Sequence, residues 1–218
     1  YFTREIYGDY YLGLGASYPD VNGGIGILFE QPFSAGGNMD GDNGTFTFTE
    51  GVRNHYVTSI STLRGAHKHK QELLDYQKDF FTQGEKRARK QKTRAWVFSD
   101  DGDPARAREL VEALQLHQIE VLPLAKDVKT GDHIFKAGHA RVVPTRQMQS
   151  LLIEGLFEQR RAFDRNTFYD ASGWTLPLAF NLPFAQLTSL PKVLQPSQSL
   201  PLTEVNRFNP LESAVAYS

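Results

Sequence analysis

The apolar positions of this chain fall into runs of two different periods, and the change of period marks its organisation. The first run is continuous: Ile25, Ile27, Leu28 and Phe29 lie between Gly24 and the polar pair Glu30-Gln31, which predicts a strand buried on both faces over residues 24–31. Pro32, Gly36, Gly37 and the glycine- and aspartate-rich stretch 40–44 end it in a loop. Thr45-Phe46-Thr47-Phe48-Thr49 then alternates, as a short strand or an extended edge does. From Val52 the period lengthens. Val52, Tyr56, Ile60, Leu63, His67, Leu74, Gln77 and Phe81 recur at helical spacing and predict one long amphipathic helix. It runs out in Lys86, Arg87, Arg89, Lys90 and Lys92, cations that suit a helix C-terminus or a linker and that separate two apolar units.

The second unit opens with an apolar strand over 94–98, then a helix from Pro104 to about Gln115, then a strand over 119–122. Asp103 is placed to cap that helix and Pro104 fits its first position, with Ala107, Leu110, Val111 and Leu114 as the buried face. Such a strand-helix-strand unit predicts an adjacent parallel pair joined by a right-handed crossover. Residues 133–143 predict a hairpin turning at Gly138, and 147–157 a second amphipathic helix carrying Met148, Leu151, Leu152 and Leu156. Residues 168–184, dense in aromatics and proline, predict irregular structure and a short helix packed on the sheet. The Ser-, Pro- and Gln-rich remainder predicts a surface tail. The expected fold class is therefore α/β, with units at 1–85 and 93–190 and an extended tail at 191–218.

Composition narrows the function classes. With 24 Lys and Arg against 25 Asp and Glu, the overall field gives nothing to attract nucleic acid or an anionic membrane. The absence of cysteine excludes disulfides, thiolate zinc sites and a cysteine nucleophile. No apolar run reaches the ~20 residues that span a bilayer. The chain opens at Tyr1 directly into an aromatic-rich stretch and reads as a piece of a longer polypeptide. Homo-oligomerisation is left open by these features.

Glu30 is the residue most suggestive of chemistry, because a carboxylate at the C-terminal end of an apolar strand sits where α/β enzymes place reactive groups. Partial burial there would suit it to act as a base; an ordinary strand-end glutamate facing solvent or pairing with an arginine is the plainer reading. The stretch from Gly13 through Ser17-Tyr18-Pro19-Asp20-Val21-Asn22-Gly23-Gly24-Ile25-Gly26-Ile27-Leu28-Phe29-Glu30-Gln31 resembles the closing part of the catalytic domain in large bacterial zinc carboxypeptidases of the metallocarboxypeptidase M14 family. Arg53-Asn54 and the helical stretch 58–63 are similar to that family's last catalytic-domain helix. The resemblance, over about residues 7–81, implies that Glu30 is the base that activates the attacking water. It implies further that Tyr11 or Tyr10 is the mobile tyrosine that closes over a peptide substrate. The family's zinc ligands, a His-x-x-Glu pair and a later His, would precede Tyr1, so zinc is expected in the longer parent and not in this chain, and a periplasmic or secreted setting would follow.

The second unit resembles the flavodoxin-like, amidotransferase-like domain that trails the catalytic domain in some of these peptidases, on the stretches 141–147 and 168–177. Without a cysteine it is expected to be silent as an amidotransferase. Four other features read more simply. His69 and Glu72 form a His-x-x-Glu pair on one helix face, flanked by Lys68 and Lys70, and read as an exposed patch. Asp100, Asp101, Gly102 and Asp103 read as a turn and a cap, and His133 and His139 flank a hairpin across which they could approach each other. The aromatics Phe168, Tyr169, Trp174, Phe180 and Phe184 read as core or interdomain packing, with a peptide groove as their other use. A non-catalytic α/β interaction or scaffolding module is the alternative to the peptidase reading.

Overall fold

The computed structural model describes residues 11–30, 37–41, 44–159 and 175–194. The fold is mixed α/β, and it divides into two compact units between Lys86 and Arg87. Among the described residues no helix is long and apolar enough to cross a membrane.

In the first unit β1 (Asn38–Gly41) and β2 (Gly44–Thr47) form an antiparallel hairpin, with Asn38 opposite Thr47 and Gly41 opposite Gly44. The alternation expected from Thr45 stops at Thr47 because that residue starts a helix instead. Its hydroxyl accepts from the Glu50 amide at 3.2 Å, and the Glu50 carboxylate accepts from the Thr47 amide at 2.9 Å, which is a reciprocal capping box. Helix α1 (Phe48–Lys68) thus begins four residues before Val52, and α2 (Lys70–Lys90) follows it. The single helix expected over this stretch is broken at His69, whose φ of −105° and ψ of 26° depart from helical values. Gly65 and two histidines, all weak helix formers, stand around that break.

The strand expected over 24–31 is not formed over the described residues 24–30, which are irregular and unpaired in any sheet. A strand buried on both faces needs neighbours on both edges, and the first unit's described sheet is only the β1–β2 hairpin. Its apolar side chains are consequently exposed, Ile25 at 56% and Leu28 at 64%. Helix α1 buries none of its residues either, and its stripe of Phe48, Val52, Tyr56 and Leu63 faces solvent.

The second unit carries the core. Its elements are β3 (Ala95–Ser99), α3 (Pro104–Leu116), β4 (Leu122–Pro123), β5 (Val128–Thr130), β6 (His133–Phe135), β7 (Ala140–Pro144), α4 (Ser150–Phe157), α5 (Leu176–Ala179) and β8 (Phe184–Leu187). The four-stranded sheet has the order β4-β7-β3-β8 with every neighbouring pair antiparallel. β3 and β4 do run in the same direction, but β7 lies between them, so the adjacent parallel pair expected from the strand-helix-strand pattern is not made. The hairpin expected over 133–143 is also rearranged. Gly138, with φ +85°, does turn the chain, yet β6 pairs back with β5 while β7 crosses to β3 and β4. Strand β8 starts at Phe184, the last residue of the segment expected to be irregular, and Leu124 bridges Val193. Residues 168–174 and the rest of the expected tail lie outside the described residues.

Helix α3 matches its sequence pattern closely: Asp103 accepts from the Arg106 amide at 3.2 Å, and Ala107, Leu110, Val111 and Leu114 are its buried residues. Val97, Phe98, Val142, Val143, Ile153 and Phe157 are fully buried with them, each such side chain stabilising the fold by about 1.5–3 kcal/mol relative to exposure.

Two carboxylates tie loops to this frame and make the unit sensitive to acid. The Arg106 amide, then its guanidinium at 2.7 Å, holds the Asp103 carboxyl below its ordinary value of 3.8. The Lys136 ammonium at 2.8 Å, then the Ala137 amide, does the same for Asp127. Because both folded-state values lie below the unfolded ones, their stabilisation is complete above the ordinary aspartate range and disappears as pH falls through the folded values. Urea midpoints measured from pH 7 down to about pH 3 should fall for the native chain and fall less steeply for Asp103→Asn combined with Asp127→Asn. Parallel curves would show that neither bond contributes.

Candidate functional site

The site is built on the segment 11–30, which coils through short-range hydrogen bonds. Tyr18 donates its amide to the Leu14 carbonyl at 2.9 Å, and both Asn22 and Gly24 donate theirs to Pro19. The Asp20 carboxylate then accepts from the Gly26 amide at 2.9 Å, drawing the apolar run back over the turn. Two glycines are required here. Gly23 has φ +72°, and a Cβ added to Gly26 would lie 1.5 Å from the Ala16 carbonyl oxygen, closer than any side chain permits. The Gly-Gly-x-Gly spacing is thus the condition for bringing residues 24–30 past residues 16–19.

Between this run and the helices of the same unit lies a groove of about 610 Å³, lined by Ile25, Ile27, Ala66, His69, Leu73 and Tyr76 among others. Glu30 is exposed and follows the groove-lining residues in the chain without lining the groove itself. Tyr11 stands at the other end of the segment, its ring lying against Gly13 so closely that a Cβ there would meet it at 2.4 Å. Tyr10 lies outside the described residues. The groove therefore does not gather Glu30 and Tyr11 around one cavity.

Three of the six histidines stand in distinct settings. His69 marks the α1–α2 break, and its Nδ1 lies 3.4 Å from the Glu72 carboxylate, both side chains being exposed. The Glu72 amide, then that imidazole, holds the Glu72 carboxyl below its ordinary range. His133 packs against the Phe135 ring at 4.5 Å. His139 pairs through Nδ1 with Asp100 at 3.1 Å. Among the described residues no three of His, Asp and Glu come together in a way that could hold a metal ion, so these residues do not fit a zinc cage.

The Asp100 cluster was not visible as a cluster in the sequence. Asp100 is buried at the end of β3, where its carboxylate also accepts from the Gly102 amide at 3.0 Å and its own amide donates to the His139 carbonyl at 3.1 Å. Burial lowers the Arg141 guanidinium from its ordinary value, and the nearby Asp100 carboxylate opposes that shift. The signal that could have exposed the pair is the antiparallel register: Ser99 faces Ala140, so residues 100 and 139 are neighbours once β7 is laid beside β3. This arrangement clamps the β3–α3 loop to the turn before β7.

The fold is that of a two-unit α/β chain. No known protein family matches it, and neither does any curated protein or solved structure.

Proposed function

We propose that this chain is the C-terminal part of a zinc metallocarboxypeptidase, in which Glu30 takes a proton from the water that attacks the C-terminal peptide bond of a peptide substrate. Tyr11 is the proposed aromatic that closes over that substrate. The observation that carries the reading is the run from Asn22 to Glu30: a strongly apolar sequence ending in a carboxylate, with its side chains left uncovered. Apolar surface of that density is unfavourable in water, and flanking strands are what would cover it. In this reading the metal is held by residues that would precede Tyr1. The α/β unit from Arg87 onward is a trailing domain without a role in the hydrolysis.

The test compares this chain with the longer, zinc-holding polypeptide that this reading requires. Elemental analysis should give no stoichiometric zinc on the 218 residues and one zinc on the longer polypeptide, with release of C-terminal amino acids only by the latter. Tight one-to-one zinc on the 218 residues would overturn the assignment. A longer polypeptide that neither holds zinc nor hydrolyses peptides would leave an interaction module in its place.

A further inference from the structure

We draw no further inference here: the strongest candidate, the apolar groove between residues 23–27 and helices α1 and α2, belongs to the site already described, and nothing in the structure shows what covers it.

Discussion

In the proposed peptidase, replacing Glu30 by Gln is expected to slow release of C-terminal residues by about 10²–10⁴-fold, the range that a positioned general base contributes. Gln preserves the shape and hydrogen-bonding reach of the side chain but cannot take a proton at neutral pH, so the variant isolates the proton transfer from the packing. Zinc content should be unchanged, because in this reading the metal is held elsewhere. KM should also change little, since the lost interaction belongs to the transition state and not to ground-state binding. Elemental analysis and steady-state kinetics on one preparation check all three together. Retained turnover would remove Glu30 from the reaction, and loss of zinc together with activity would make it a metal-site residue. In the 218-residue chain the same substitution touches an exposed side chain and should leave the fold unaltered.

What was legible in the sequence divides along physical lines. Helix α3 could be read to within a residue because every level agreed: a capping aspartate, a proline at the first position, and four apolar residues on one face. β3 was equally plain, since five successive residues that avoid turns and breakers leave few other structures open. The pairing of strands was not legible, because local sequence states that a strand exists but not which edge it joins. β7 inserted itself between β3 and β4, and β8 joined the free edge of β3 from beyond α5, both through contacts remote in sequence.

The run from Gly24 to Glu30 is the instructive failure. Its pattern is that of a central strand, yet over the described residues no neighbour gives it a ladder, and the amide of Gly26 turns to the Asp20 side chain instead. Periodicity reports the environment a segment is built for, while the structure reports the environment it has, and a mismatch between them is itself information about missing cover. The same holds for the α1 stripe, whose amphipathic spacing is real and whose apolar face is open. Of the candidate site, the glycines were legible as a motif, but only the close passage of Gly26 by the Ala16 carbonyl explains why it admits no side chain. The Asp100–His139 pair was hidden by its 39-residue separation.

Truncating Phe98 to Ala should have the largest effect on stability, costing about 3–5 kcal/mol against a total that for a domain of this size is about 5–15 kcal/mol. Phe98 is fully buried in the central strand, opposite Arg141 on one side and Phe184 on the other, so its removal leaves a cavity that two hydrogen-bonded neighbours cannot collapse to fill. Urea unfolding followed by circular dichroism reads the loss directly, and a change under about 1 kcal/mol would mean that the sheet's two faces are not packed as described. The informative contrast is Leu63→Ala on α1, where the side chain is 67% exposed. In this chain it should alter stability by no more than about 0.5 kcal/mol. In the longer polypeptide, where the proposed peptidase domain would cover the stripe of Phe48, Val52, Tyr56 and Leu63, the same truncation should cost about 2–5 kcal/mol. An equal, negligible effect in both would mean that nothing covers α1, and would take away the physical reason for reading the first unit as the end of a larger domain.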